Sequence, residues 1–479
     1  MISQAEQKVA MREKAGYSLG DVSANLVFQM LMVYQLKFYT DIFGLDGAVA
    51  GSVLLFAPLL CAFFDPLAGI IADRTRSRWG KYRPWLLWTA IPFSVFYFLT
   101  FYNPGIQNKS LVAVYATVSY VLLLATYGFN NTPYASLGGV MTGDIAERTS
   151  INKVRFVAAA IAQLVVQGLT LPLVGYFGQG DAERGWTKTI LLFALFVCLF
   201  SIIAFLTTRE RIHPPRQQRM SVRQDVQETF TSKPWRCMFF LTLLMFTSVA
   251  MWSSSVNFYF QDYLDADSLA AFLQRAGFSV TSEKAYFVGF SLFNTVNSLV
   301  QFAGILFLSS YLANRFGKRT TFIVGLVLTL FFTALFYVVS PHDAALVYLL
   351  CFLKSLVYAP TIPLLWAMVA DSADYIEYVH HRRATGFCFS GVVFALKCGM
   401  GIGTALAGLL LSGFGYVSGS MGLQSQQAVE GIRLMSSLIP AVLMCGALIA
   451  LYHYPISQVF NQKMQAELKS RRSIEQLKS

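Results

Sequence analysis

The sequence predicts an all-α membrane protein: twelve transmembrane helices in two pseudo-symmetric six-helix bundles. Three observations predict it. Hydrophobic residues fill 55% of the 479 positions and charged residues only 13%, with a mean hydropathy of +0.53, whereas soluble domains are roughly 25% charged. The apolar residues gather into runs of about 20, long enough for a helix to cross a ~30 Å hydrocarbon core and about twice the length of a barrel strand. Finally, most of the 37 Lys and Arg fall at the termini and in every second loop, the positive-inside pattern of a chain with both termini cytoplasmic.

The first span, 19–40, follows a polar start, MISQAEQKVAMREK. That start does not read as a cleavable signal, so the span itself is expected to direct insertion. Lys37 lies four residues before Asp41 and is expected to snorkel to the outer interface. The second span, 48–72, has no charge until Asp65. A charge in a lipid-spanning helix is costly, so Asp65 is expected to face a polar cavity and act there. A dense basic loop follows, with Arg74, Arg76, Arg78, Lys81 and Arg83, and marks the cytoplasmic side. Spans 85–103, 111–134, 154–178 and 187–207 complete a first bundle over 1–207.

A polar stretch, 208–235, contains RERIHPPRQQRMSVRQDVQETFTSKP and reads as a cytoplasmic linker with one short amphipathic segment. The second bundle, 236–455, holds spans 236–262, 285–312, 320–340, 345–370, 386–414 and 431–455. The tail, 456–479, is polar and reads as either a short cytoplasmic helix or a disordered segment. Outside the cytoplasmic segments lie Lys109, Arg184, Lys188, Arg275, Lys284 and Arg433, and within spans lie Lys37, Lys354 and Lys397.

The net charge of +12 needs no nucleic acid to explain it, because the basic residues sit where an anionic lipid surface would meet them. The seven cysteines fall in or beside apolar spans without a CxxC pair, which reads as packing and not as disulfides or a metal site. No nucleophile–base pair or HExxH-type spacing appears in the spans, so an enzyme is not expected, nor is a cofactor. The expected partners are the lipid bilayer and a small substrate, with the chain a monomer in a bacterial-type inner membrane.

Two internal echoes divide the chain. LAGIIADRTRSRWGKYRP after span 2 is answered by LSSYLANRFGKRTTF after span 8, with Asp73-Arg74 against Asn314-Arg315 and Gly80-Lys81 against Gly317-Lys318. Thr132-Pro133 in span 4 is answered by Ile362-Pro363 in span 10, each leading to an acidic residue, Asp144 and Asp371. Two six-span halves, each opening a basic loop after its second span, match the major facilitator architecture.

More specific motifs are DPLAGIIADRTRSRWGKYRPW, YSLGD with FYTDIFG, NTPYASLGGVMT, and ADSADYIEYVHHRRATG running into FALKCG. In order and spacing the chain resembles the glycoside–pentoside–hexuronide:cation symporters, the group of melibiose permease and the glucuronide carriers. The resemblance implies sugar uptake coupled to a cation. It places the coupling site at Asp65 and Lys397, with Cys61 and Phe64 at positions where melibiose permease has further cation-site residues, and Gly128 where it has a threonine. Sodium needs several oxygen ligands, whereas a lone buried carboxylate can carry a proton; the expected coupling ion is therefore H⁺, with Na⁺ the alternative.

By the same resemblance Asn25 and Asn131 stand where melibiose permease has sugar-binding carboxylates, and Ala135 replaces a tryptophan. The amides can both donate to and accept from hydroxyls. Arg155 and Lys397 match family residues linked to substrate and coupling, and Trp366 matches a glucuronide-carrier tryptophan able to stack on a sugar. Lys354, outside the family motif, lies 17 residues before Asp371, roughly 25 Å along a helix, and needs either Asp65 or an anionic substrate as partner. Tyr34, Gln35 and Tyr127 complete the expected polar set. A cytoplasmic gate is expected from Asp371, Asp374, Glu377 and Arg383 with Arg78 and Lys81; the carboxylates are expected to pair with Arg155 or the 2–3 loop arginines. The expectation is thus proton-coupled symport of a glycoside or hexuronide-type, acidic sugar by alternating access. A sodium-coupled sugar symporter and a lysolipid carrier on the same fold are the alternatives.

Overall fold

Among the described residues every expected span is largely helical, as it must be where lipid offers the backbone no hydrogen-bond partner. The computed structural model describes residues 8–61, 64–142, 145–211, 222–380, 385–418 and 424–478. In chain order the helices are α1 (Met11–Lys37), α2 (Gly47–Cys61), α3 (Phe64–Arg74), α4 (Arg83–Thr100), α5 (Lys109–Val140), α6 (Ile145–Gly178) and α7 (Ala182–Thr207). The short linker helix α8 (Val222–Thr231) leads to α9 (Lys233–Phe258), α10 (Ala266–Arg275), α11 (Ser282–Phe316), α12 (Lys318–Leu335), α13 (Ala344–Tyr358) and α14 (Thr361–His380). Then come α15 (Thr385–Gly413), α16 (Gln426–Ser436), α17 (Leu438–Tyr452) and α18 (Gln458–Lys478). Among the described residues there is no strand, and nine helical segments are long and apolar enough to cross a bilayer. None of the seven cysteines forms a disulfide.

Some spans are built from two helices, and proline explains two of the breaks. Pro360 between α13 and α14 cannot donate an amide hydrogen; there the Thr361 hydroxyl donates to the Tyr358 carbonyl at 2.6 Å. Ser437, between α16 and α17, precedes Pro440; the Ser437 hydroxyl donates to the Arg433 carbonyl and the Ser248 hydroxyl to the Pro440 carbonyl at 2.7 Å. The outer helix surfaces are apolar. Leu191, Leu195 and Leu199 on α7, and Leu111, Val114, Val118 and Leu122 on α5, are exposed at helical spacing, the inverse of a water-facing pattern. Ser18, Ser23 and Gln35 of α1 are buried instead.

By contact the chain forms two units. The first comprises Met1–Gln217, Val256–Ser298 and Thr404–Gly431; the second comprises Gln218–Ser255, Leu299–Gly403 and Ile432–Ser479. In the first, α1 packs on α6 and α7, and α4 on α5 and α7, around a core that includes Tyr17, Leu86, Tyr134, Leu137 and Phe205. In the second, α12 packs on α13 and α17. Its core is closed by the Trp235 indole donating to the Cys388 carbonyl at 3.0 Å and the Tyr454 hydroxyl to the Met368 carbonyl at 3.1 Å.

The tail is helical, and α18 buries Met464 and Leu468. The 7–8 connection contains α10, whose Asp265 side chain accepts from the Ser268 amide at 2.9 Å, an ordinary helix cap. Residues 143–144 and 381–384 lie outside the described set, so neither Asp144 nor Arg383 is placed.

Two turns repeat between the halves. Gly80 has φ +111° and Gly317 φ +84°, a backbone region in which a β-carbon is strained. At the first turn the Glu210 carboxylate accepts from the backbone amides of Lys81, Tyr82 and Arg83 at 2.7–3.0 Å, capping the start of α4. A β-carbon on Gly80 would come within 2.6 Å of that carboxylate. At the second turn Gln458 takes the equivalent place, 2.6 Å from where a Gly317 β-carbon would lie. In each half, the residue that closes the turn follows the half's last span.

Glu210→Ala leaves three amides at the head of α4 without their acceptor and is expected to cost about 2 kcal/mol. The thermal unfolding midpoint in detergent should fall by several degrees, and Glu210→Gln should cost less. An unchanged midpoint in the alanine variant would mean that water replaces the carboxylate.

Candidate functional site

The first unit gathers polar side chains from α1, α5 and α6 inside an apolar bundle. Asp21 of α1 and Arg155 of α6 form an ion pair, Oδ2 to Nε 3.5 Å, with both side chains partly buried. The Tyr17 hydroxyl lies within hydrogen-bonding reach of Arg155; its ring stacks on Tyr134 at 4.5 Å between centroids, and its hydroxyl donates to the Tyr134 carbonyl at 3.3 Å. One turn along α1, the Asn25 amide donates to the Asp21 carbonyl at 2.9 Å. From α5, Tyr127 packs edge-on against Phe93 at 5.8 Å, and Asn131 is half-buried one turn further on. Of the expected set, Arg155 thus meets the Asp21 carboxylate and Asn25 the Asp21 backbone carbonyl. Asp21, quoted in the sequence only as the end of YSLGD, is the residue that residue-level reading missed as a partner for Arg155.

The Asp21–Arg155 separation has chemical meaning. Charge-assisted N–H···O⁻ bonds are ~2.7–2.9 Å, so at 3.5 Å the pair is stretched. A guanidinium held this way retains donors for a second oxygen, and the neighbouring amides can bond hydroxyls.

Tyr34 and Gln35 are elsewhere. Nine and ten residues beyond Asn25, they lie about 14 Å further along α1. Both are fully buried with internal partners: the Tyr34 hydroxyl donates to the Gln167 carbonyl at 3.4 Å and the Gln35 amide to the Tyr39 hydroxyl at 3.1 Å. Beside them runs a chain of amides and a hydroxyl that sequence reading overlooked. Gln167 donates to Gln29 at 2.9 Å, Ser298 donates to Gln167 at 2.6 Å, and Gln163 donates to Ser298 at 3.2 Å. Its signal was Gln163 and Gln167 one turn apart in an otherwise apolar helix.

Lys37 is also placed otherwise than expected. It is buried, 3.1 Å from Asp41, under the rings of Phe258 and Tyr286. Packing of α1 against segments of the second half leaves its ammonium no route to the interface.

In the second unit, Lys354 of α13 is buried and sits over the Trp252 indole of α9. Among the described residues no carboxylate forms an ion pair with it, so the cation rests on an aromatic face. Trp252, which the sequence did not single out, is the ring beneath the Lys354 ammonium. Trp366 instead lies parallel to Phe389 at 6.3 Å, packed against the core of this unit. Lys397 is half-buried on α15.

The acidic motif is engaged within the second unit. Asp371 pairs with Lys318 at 2.7 Å, and Asp374 accepts from Gln465 of α18 at 2.7 Å. Glu377 is half-buried on α14. Within its own unit, Arg155 pairs with Asp21 and Asp371 pairs with Lys318. In the first unit Arg78 stacks on Trp79, and the Lys81 amide is bound by Glu210. Asp65 is helical in α3, but its side chain is outside the described set. Beside it in sequence, the Cys61 thiol donates to the Val121 carbonyl at 3.6 Å.

Removing either partner of the Asp21–Arg155 pair should strand a partly buried charge. Asp21→Asn and Arg155→Gln should each destabilise more than the double variant implies, with a coupling energy of about 1 kcal/mol in a double-mutant cycle of thermal stability. Simple additivity would show that the two side chains act independently.

Comparison with known proteins agrees with this architecture. Residues 16–458 match the family described as MFS/sugar transport protein. The inner membrane symporter YicJ of Escherichia coli (strain K12) is 30% identical over 94% of this chain and 93% of its own. The isoprimeverose transporter of Lactiplantibacillus pentosus is 29% identical over 98% of this chain and 93% of its own. The crystal structure of the nucleoside transporter NupG shares the fold at 14% identity, TM-score 0.61, over 93% of this chain and all of that one. With the family model matched over most of its length, the chain is a membrane transporter: it belongs to the MFS/sugar transport family of the major facilitator superfamily.

Proposed function

We propose that this protein is a proton-coupled symporter that carries a glycoside or hexuronide-type sugar by alternating access of its two six-helix halves. It works in a bacterial inner membrane with both termini cytoplasmic. The observation that carries the reading is the stretched Asp21–Arg155 pair beside Asn25. A substrate carboxylate or hydroxyl competes with Asp21 for Arg155 and gains charge-assisted hydrogen bonds. Within the second unit, and taken by itself, Lys354 resting on Trp252 is a cation with an aromatic face beside it, chemistry suited to an acidic sugar. The relatives support the sugar class, since one of them is an isoprimeverose transporter.

The coupling ion is read as a proton because Asp65 has few oxygen neighbours in sequence. Cys61, one turn before it, spends its thiol on a backbone carbonyl, and sulfur is a poor ligand for Na⁺ beside oxygen. Asp65 then takes and releases the proton alone.

Counterflow and uptake in proteoliposomes test the two parts separately. Uptake should follow an imposed pH gradient and ignore sodium at fixed pH; strong sodium stimulation would replace the proton with Na⁺. Asp65→Asn should abolish uphill uptake while exchange of bound sugar persists, and loss of both would remove Asp65 from coupling. Uronates should bind roughly tenfold or more tightly than matched neutral sugars, a difference of about 1.4 kcal/mol, and Lys354→Ala should narrow it. Equal affinities unaffected by that change would assign the site to neutral glycosides.

A further inference from the structure

The first helix of each half ends in the same unusual way. After α1 the residues Phe38–Ile42 form a π turn, and after α9 the residues Tyr259–Tyr263 form another. Each is closed by an i→i−5 bond of 3.1 Å: the Phe43 amide to the Phe38 carbonyl, and the Leu264 amide to the Tyr259 carbonyl. The sequences, KFYTDI and NFYFQDY, are a third internal echo. Such π bulges are rare and cluster at working sites.

At the first of these ends lies a buried charge pair. Lys37 and Asp41 have side chains only 6% and 2% exposed, with Nζ and Oδ2 3.1 Å apart. Neither atom completes a hydrogen bond of good geometry. The surroundings come from the second half of the sequence. Nζ lies 4.6 Å from the Phe258 centroid and 5.4 Å from that of Tyr286, and the Tyr416 hydroxyl donates to Asp41 Oδ1 at 3.0 Å. Tyr286 in turn is hydrogen-bonded to Asn257, whose Nδ2 has no partner. All of these residues belong to the first unit.

The contact therefore joins α1 to α9, to α11 and to the turn after α15. Nearby, the Ser412 hydroxyl donates to Asp46 at 3.1 Å and the Ser418 hydroxyl to the Leu45 carbonyl at 2.8 Å. Charge distribution puts this end outside.

We propose that Lys37 and Asp41 form an under-bonded latch that holds the outer ends of the two halves together and yields readily when they part. Closing the latch strips water from two charges, and at 3.1 Å with poor angles the pair recovers little of that loss. Opening returns both ions, and the Asn257 amide, to water. The imperfection keeps the closed state from becoming a trap. A well-packed apolar pair in the same place would close more tightly, whereas either ion left alone would favour the open, hydrated arrangement. Lys37 and Asp41 are positioning residues; neither is assigned a contact with substrate.

The inference rests on the alternating-access reading proposed above, and its test is independent of transport. In a background lacking the seven native cysteines, Asp46→Cys with Ser412→Cys should form a disulfide when the outer end is closed. Lys37→Met alone and Asp41→Asn alone should each slow that crosslinking by about tenfold. The double variant Lys37→Met/Asp41→Leu should crosslink at least as fast as the parent while sugar turnover falls. Crosslinking at the parental rate in both single variants, or a double variant as slow as the singles, would overturn the latch. A parent that crosslinks but moves no sugar would defeat the symport reading and leave the crosslinking comparison intact.

Discussion

A bilayer supplies no hydrogen bonds, so every polar group within it must find a partner in the protein. That constraint governs what is seen here at every scale. It makes the spans helical. It turns hydroxyls back onto their own helices: Ser94, Thr189, Thr329 and Ser372 each donate to the carbonyl four residues earlier. At the break between α13 and α14, the Thr361 hydroxyl occupies the Tyr358 carbonyl. Against that background the Asp21–Arg155 and Lys37–Asp41 pairs, 3.5 and 3.1 Å apart, are bonded more loosely than the constraint would ask.

The spans, their order and the glycine turns could be read from the chain because each leaves a local mark: an apolar run, a basic loop, a Gly before a Lys. Pairing left no such mark. Asp21 and Arg155 are separated by more than a hundred residues, and only the packing of α1 on α6 makes them neighbours. Tyr34 and Gln35 looked like sugar ligands because they are polar in an apolar span. Their height along α1 gives them internal partners, the Gln167 carbonyl and the Tyr39 hydroxyl. Lys37 was read as snorkelling from its i,i+4 relation to Asp41, and that relation is real; what sequence could not supply was the cover of Phe258 and Tyr286. Trp252 carried no signal, since a tryptophan in a span is ordinarily packing.

Duplication is more evident in structure than in sequence. Glu210 and Gln458 differ chemically, yet each folds back onto the glycine turn of its own half. The first is an anion capping three amides, the second a neutral amide, so the shared element is the route of the chain and not the bond. The π turns tell the same story: FYTD and FYFQD differ by an inserted residue, and the backbone keeps its bulge regardless.

Where α2 crosses the segment of α15 in its unit, the helices meet almost bare. A β-carbon on Gly51 would come within 2.7 Å of the Ala405 carbonyl, and Gly47 and Gly408 also face each other there. Helices usually interlock through side-chain ridges, and sliding one past another forces rotamers to change. Two backbones touching through hydrogen atoms have no teeth to disengage. The crossing has the character of a plain bearing: it keeps the helices at close range through dispersion, with the Ser412–Asp46 hydrogen bond at one end, and presents few side-chain ridges to shear or rolling.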